Sequence, residues 1–370
     1  MTNLNVLYQN YGQSPWIDNI RRDWLNDGTL AKFVADGVRG VTSNPSIFAK
    51  ALATSSAYDD FVAASSDDNA EDLFESLAVT DVRDACDVLA TVHKDSHVEF
   101  ASGTRRYLDG FVSLEVSPRL ARDTKGTIVA AKRLWTRVDR PNVMIKIPAT
   151  KEGLPAIRAV LGAGINVNVT LIFSLERYDE VITAWTQGLS DAYDAGHDLG
   201  ELASVASFFV SRVDAAVDAL LPESDVRRGT TANAQVAGAY VLYKHRMAGQ
   251  DVKTLLGQGA QVQRPLWAST STKNPSYDDL LYVDRLVANE TVNTMPDATL
   301  AAVLDHANFS SSYLLSDETC SKTAELLTKL PSDVSLDAVT AQLEVDGVDS
   351  FAKSYEELLA TVASKMHGAA

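Results

Sequence analysis

Two patterns alternate along the chain. Short apolar runs rich in β-branched residues end in polar ones, and each is followed by a stretch whose apolar positions recur with helical spacing. The runs fall at 14–18, 38–44, 110–117, 142–148, 165–173, 204–211, 264–270 and 291–295, which predicts eight strands. Helical stretches at 124–138, 154–161, 175–189 and 230–247 lie between them, and a helix linking successive strands makes those strands parallel neighbours. Repeated units of this kind predict an α/β protein, a (β/α)₈ TIM barrel, although a doubly wound open sheet produces similar local patterns. Two segments exceed a minimal barrel: a helical insertion at 49–102, between the second and third strands, and a C-terminal helical extension at 308–370. The cluster Ser65-Ser66-Asp67-Asp68-Asn69 suits a helix start in the first, and Pro331 and Gly347 punctuate the second. No linker or low-complexity stretch divides the chain, so residues 1–370 are expected to form one barrel domain.

Strands of a closed parallel barrel are apolar on both faces, so polar residues inside them are informative. Neighbouring side chains alternate faces, and the branched residues mark the outer one. Val143, Ile145 and Ile147 share the outer face of the fourth strand, which turns Lys146 inward. Val112, Leu114 and Val116 likewise turn Ser113 and Glu115 inward, and the next strand turns Asn166, Asn168 and Thr170 inward. The first strand ends in Asp18 and the second in Thr42-Ser43-Asn44. All of these lie near C-terminal strand ends, the face on which barrel enzymes assemble active sites. A buried lysine, two carboxylates, two asparagines and a threonine point to a catalytic cluster, with a purely structural Lys146–Glu115 pair as the alternative.

Composition narrows the partner. With a formal net charge of −16 the chain has no electrostatic basis for binding nucleic acid or an anionic membrane surface, and a small-molecule partner is favoured. An anionic substrate would need local cations to overcome that field. Cys86 and Cys320 are the only cysteines, too few for a disulfide framework, and a reducing cytoplasm is the expected setting. No basic region with an apolar run follows Met1, and no segment approaches about 18 uninterrupted apolar residues, so neither export nor membrane spanning is expected. His93 and His97 are spaced to share a helix face but lack a third ligand. Gly257-Gln258-Gly259-Ala260 lacks the rest of a dinucleotide loop, and no Walker-type loop occurs, so neither metal nor cofactor is expected.

The chain resembles the transaldolase family, class I aldolase-type barrels with a reactive lysine on strand four. The resemblance rests on an ordered set of segments between Asp18 and Lys273. Gly40-Val41-Thr42-Ser43-Asn44-Pro45-Ser46 is similar to the family's Thr-Ser/Thr-Asn-Pro motif, and Val143 to Thr150 to its lysine strand. Asn166 to Phe173 resembles the strand that follows, and Ser207 to Asp214 the phosphate-binding segment. The length and the Trp267 to Lys273 segment resemble the longer bacterial members rather than the compact aldolase-like ones. Many relatives place an arginine after strand seven; this chain has Lys273 there.

That resemblance implies a role for each residue. Lys146 would be the nucleophile, because a neutral amine adds to a ketone and leaves an electron-withdrawing iminium after loss of water. Glu115 and Thr170 would hold a proton-shuttling water, and Asp18 would serve as acid/base for the substrate's C4 hydroxyl. Asn44 and Asn168 would hold the retained dihydroxyacetone unit, while Ser207, Arg212 and Lys273 would bind phosphate. The alternatives are that Asp18 caps a helix near Asn19, that the asparagines bridge strands, and that Arg212 and Lys273 are solvated surface charges. The implied activity is transfer of a dihydroxyacetone unit between phosphorylated sugars in the pentose phosphate pathway. An aldolase of the same family that releases the unit to water, and a non-catalytic binding barrel, are the competing readings. A monomer or homodimer is expected.

Overall fold

The computed structural model describes residues 1–99, 105–309, 316–332 and 334–368. In chain order its strands are β1 (Gln13–Ile17), β2 (His97–Glu99), β3 (Arg105–Tyr107), β4 (Val112–Glu115), β5 (Val143–Pro148), β6 (Val167–Ile172), β7 (Ser204–Phe209), β8 (Arg264–Ala268) and β9 (Thr291–Met295). Seven of them form one curled, wholly parallel sheet in the order β1-β9-β8-β7-β6-β5-β4, while β2 and β3 pair as a small antiparallel ribbon. Helices Thr124–Val138, Gly153–Leu161, Leu175–Asp194 and Thr231–Met247 supply crossovers where the apolar spacing predicts them. Among the described residues no helix is long and apolar enough to cross a membrane.

The predicted second strand is the exception. Within 38–44 only Val41 is bridged, in parallel, to Ile17 on one side and Val112 on the other. Hydrogen bonds continue along this segment: Arg39 N–H donates to Pro15, Ile17 N–H to Gly40 and Thr42 N–H to Ile17, at 2.8, 3.0 and 2.9 Å. On the other flank Val41 N–H donates to Phe111 and Ser113 N–H to Val41, both at 2.9 Å. The two edges of the sheet are thereby joined through residues 39–42. Gly40 is needed here because the Trp16 indole lies only 2.4 Å from where a Cβ would stand.

Helices fill the segment predicted as an insertion, notably Asp59–Ala64 and Ala70–Val88. Asn69 caps the second, its side chain accepting from Asp72 N–H, as the polar cluster before it predicts. His97 departs from expectation. The helix carrying His93 ends at Asp95, and His97 opens β2, so the two do not share a helix face. His93 accepts a structural place, its Nδ1 2.9 Å from the Asp109 carbonyl and its ring stacked on Tyr107.

Gly347 also departs from expectation: it is no helix breaker but lies inside the long C-terminal helix Leu336–Gly368. A Cβ there would stand 3.1 Å from Leu171 and 3.4 Å from Phe173, so the absent side chain lets the helix settle against the end of β6. Val348, Phe351, Tyr355, Leu358 and Val362 form its buried face. Each contributes roughly 1.5–3 kcal/mol when fully buried, which outweighs the exposed Arg119–Glu356 and Lys365–Asp59 pairs at about 0–1 kcal/mol each.

At the N-terminal end of the strands, fully buried Asp109 accepts from Ser14, the Trp16 indole, Arg39 and Arg264 at 2.9, 3.2, 2.8 and 3.1 Å. The carboxylate ties β1, the closing segment and β8 together. Asp109→Ala leaves the Arg264 side chain, 10% exposed, without its counter-charge. Removing one partner of a buried pair costs roughly 3–5 kcal/mol. The expected result is a denaturant midpoint lowered by that energy divided by an unchanged m-value; a midpoint within experimental error of the native chain would contradict this role.

Candidate active site

At the opposite end, backbone register brings three inward side chains into one row: Glu115 pairs with Lys146, and Lys146 with Asn168. Lys146 is 4% exposed. Its Nζ donates to the Ser43 carbonyl at 3.0 Å and lies 3.2 Å from Glu115 Oε2. Burial raises the Glu115 carboxyl above the ordinary glutamate range, with Lys146 opposing and Asp18 adding to the rise. The Glu115 carboxyl is therefore a stronger proton acceptor than an exposed glutamate, and it stands within hydrogen-bonding reach of the Lys146 amine.

Asp18 follows β1 and caps no helix: the next helix, Arg22–Asn26, starts beyond it, and Arg21 at its N-cap makes no side-chain cap. Instead Asp18 accepts a 2.6 Å hydrogen bond from Thr42, whose Oγ1 is 2.7 Å from Thr294. Burial raises the Asp18 carboxyl too, while Lys146 and the Thr42 bond pull it down. The site thus concentrates two carboxyls that favour protonation around one amine.

The asparagines divide. Asn44 caps helix Pro45–Thr54, accepting from Ile47 N–H at 3.1 Å, which commits Oδ1 and leaves its amide NH₂ for the cavity that Asn44 lines. Asn168 is fully buried, donating to Ser113 Oγ at 2.9 Å and accepting from Ser207 Oγ at 2.7 Å. It therefore bridges β4, β6 and β7, the strand-bridging alternative, and holds Ser207 in place. Thr170 Oγ1 is buried without a protein partner, and the chain bulges just after it. There Leu171 takes the left-handed conformation at φ 58°, as does Ser269 at the end of β8. For non-glycine residues this stores roughly 1–3 kcal/mol apiece, and both lie at the active-site ends of strands.

Arg212, second residue of helix Ser211–Asp218, is half-buried with its guanidinium 5.5 Å over the Phe209 ring. Burial lowers its proton affinity and Asp346 partly restores it. Among the described residues it makes no ion pair. Lys273 donates to Ser271 Oγ at 2.8 Å. Partial desolvation and the Arg212 charge lower its pKa, and Asp18 opposes them, which places Lys273 within electrostatic reach of both. Lys146, Asp18, Asn44, Thr170, Ser207 and Arg212 all line one cavity of about 80 Å³, whose wall also includes Phe209 and Phe351. A larger crevice of about 510 Å³ opens on the outer side of Glu115 between Phe74 and Tyr355, but neither Lys146 nor Asp18 reaches it.

A family model described as Transaldolase/Fructose-6-phosphate aldolase matches residues 15–362. A transaldolase of Saccharopolyspora erythraea is 46% identical over 375 residues, covering 99% of this chain and 98% of the relative. Transaldolases of Mycobacterium leprae and Thermobifida fusca are each 48% identical, covering 94% and 96% of this chain and 92% and 96% of theirs. The chain belongs to the transaldolase/fructose-6-phosphate aldolase family.

Within this family member, three contributors had no sequence expectation. Thr42 and Thr294 orient Asp18, and Phe351 reaches the site from the C-terminal helix. Phe351 carries a signal in hindsight: Val348, Phe351, Tyr355, Leu358 and Val362 recur at alternating three- and four-residue steps, one helix face.

The Asp18 carboxyl gives a pH prediction. Its raised pKa means that the folded state holds this proton more tightly than the unfolded chain, whose value is the ordinary 3.8. Stability therefore falls as pH rises through the window between that value and the raised one, and the penalty is fully present above it. Asp18→Asn keeps an oxygen to accept from Thr42 but carries no charge. It should be more stable than the native chain near pH 7, with the advantage fading towards about pH 4, as read from urea midpoints. An advantage of equal size at both pH values would contradict the assignment.

Proposed function

We propose that this chain is a transaldolase that moves a dihydroxyacetone unit between phosphorylated sugars through a Schiff base on Lys146. The observation that carries this reading is the buried Lys146 amine, 3.2 Å from a carboxyl whose burial favours protonation, in a cavity shared with Asp18 and Arg212. The relatives named transaldolase over nearly the whole chain support the transfer activity. We also propose that residues 1–370 form a single (β/α)₈ barrel with its second strand reduced to the segment around Val41. The hydrogen bonds on both flanks of that segment support the closure. The helices described from Pro45–Thr54 to Ala90–Asp95 are then an insertion and those from Asp317 onward an extension, while residues 100–102, 310–315, 333 and 369–370 of the expected segments lie outside the described residues.

The chemistry follows from the geometry. Glu115 takes a proton from the Lys146 ammonium, and the neutral amine adds to the C2 carbonyl of sedoheptulose 7-phosphate or fructose 6-phosphate. Loss of water, with Glu115 and the unpartnered Thr170 hydroxyl passing protons, leaves an iminium. The C3–C4 bond then breaks as Asp18 accepts the C4 hydroxyl proton, and the bonding electrons move into an enamine on Lys146. An aldose phosphate departs. A second aldose phosphate, erythrose 4-phosphate or glyceraldehyde 3-phosphate, is attacked by the enamine carbon, and Asp18 returns its proton to the new alkoxide; water then adds to the resulting iminium and the carbon–nitrogen bond breaks, which releases the new ketose phosphate and restores the Lys146 amine. The Asn44 amide and the Ser207 hydroxyl face the retained unit, with Asn168 positioning Ser207. Arg212 and Lys273 supply the positive charge that a chain of net charge −16 needs to attract a phosphate.

With fructose 6-phosphate as donor, turnover should require an added aldose phosphate; steady release of free dihydroxyacetone at the same rate without one indicates a lyase instead. Lys146→Ala should abolish transfer in a folded protein, since Val143, Ile145 and Ile147 carry the packing of β5. Transfer retained by that variant would remove the Schiff-base step.

Arg212→Ala should weaken phosphorylated substrates by about 10- to 150-fold, the value of one charge-assisted contact at roughly 1.5–3 kcal/mol, and leave unphosphorylated fructose nearly unaffected. Equal losses for both sugars would make Arg212 structural.

A further inference from the structure

Phe351 does not belong to the barrel, yet it lies against the reactive end of Lys146. Its ring centroid is 5.7 Å from Nζ, the residue is 4% exposed, and it forms part of the wall of the catalytic cavity. The helix that carries it is pressed down one turn earlier, where Gly347 allows contact with Leu171 and Phe173 at the end of β6. On the following turns Ser46 donates to Ser354 at 2.8 Å and Tyr355 donates to Glu71 at 3.1 Å, which ties the same helix to the segment after Asn44 and to helix Ala70–Val88. Phe351 is thus held between two fixed points, over the amine. The cavity that Phe351 helps to wall measures about 80 Å³, and that wall joins the C-terminal helix to the ends of β5, β6 and β7 through Lys146, Thr170 and Ser207.

We infer that Phe351 is a specificity-determining residue that sets the ratio of transfer to hydrolysis by keeping water from the Lys146-bound intermediate. This rests on the Schiff-base reading above. Once the first aldose phosphate has left, the enamine has two fates. Its carbon attacks an acceptor aldehyde, forming a carbon–carbon bond while Asp18 protonates the oxygen. Alternatively the same carbon takes a proton, regenerating an iminium; water adds to the iminium carbon, the carbon–nitrogen bond breaks, and dihydroxyacetone leaves with the amine restored. The second route consumes one water and needs no other reactant. An apolar ring over the nitrogen offers water no hydrogen bond, and exclusion of water is a recognised means of protecting a hydrolysable intermediate. Glu115 and the Ser43 carbonyl contact the amine, and Asp18, Thr170 and Ser207 line the cavity around it; on the side of the C-terminal helix its cover is the aromatic ring of Phe351.

The test is the number of dihydroxyacetone molecules released per transfer event, measured with fructose 6-phosphate and a fixed concentration of erythrose 4-phosphate. Phe351→Ala should raise this ratio about 10-fold or more, equivalent to roughly 1.4 kcal/mol of lost discrimination between the two barriers. Phe351→Leu, which keeps apolar bulk, should fall between Ala and the native residue, and it serves as the test should the alanine variant not fold. In both, borohydride with fructose 6-phosphate should still label Lys146. A folded variant with that label and an unchanged ratio overturns the proposal. Absence of label in the native chain overturns the Schiff-base reading instead, so the two failures are distinguishable.

Discussion

A lysine amine buried at the C-terminal end of a curled parallel sheet is the constraint around which this structure is arranged. Stripping water from an unpaired ammonium costs several kcal/mol, and Lys146 is 4% exposed. Glu115, 3.2 Å away, and the Ser43 carbonyl at 3.0 Å offset that cost. Glu115 ends β4, and Ser43 follows the segment around Val41 that bridges β1 and β4, so partners from two separate parts of the chain meet on the amine. The same burial raises the proton affinity of Glu115 and Asp18, which turns a structural liability into a set of groups able to exchange protons with the amine.

The two ends of the strands divide the labour. At the N-terminal end Asp109 is bonded by four partners and has no access to the cavity, an arrangement that binds β1, the closing segment and β8. At the C-terminal end Thr170 Oγ1 is buried without a hydrogen-bond partner among the described residues, and Leu171 and Ser269 take the left-handed backbone conformation. Stability is gathered below and reactivity above, the usual allocation in parallel barrels. The C-terminal helix then adds a third surface, bringing Phe351 across the open end.

Much of this was legible in the order of residues. Strand alternation in Val143 to Ile147 turns Lys146 inward without reference to any partner, and the register that sets it beside Glu115 follows from parallel neighbours. Helix limits were readable where caps are strong: Asp123 accepts from Gly126 N–H, and helix Thr124–Val138 starts at the residue predicted. Long-range contacts were not legible. The second strand shrinks to a bridge at Val41, and the Trp16 indole leaves no room for a Cβ at Gly40, contacts between segments that no local pattern encodes. Gly347 reads as a breaker and is instead a point of close approach. Asn168 carries the same two hydrogen-bonding groups whether it meets a sugar or two serines, and only the neighbouring strands decide that it bonds Ser113 and Ser207.

Covalent trapping tests the proposed nucleophilic role of the Lys146 amine directly. Borohydride reduction of the native chain in the presence of fructose 6-phosphate, followed by peptide mass analysis, should place a dihydroxyacetone-derived mass on one peptide, the one that contains Lys146. A label on any other lysine, or none at all while transfer proceeds, would contradict it.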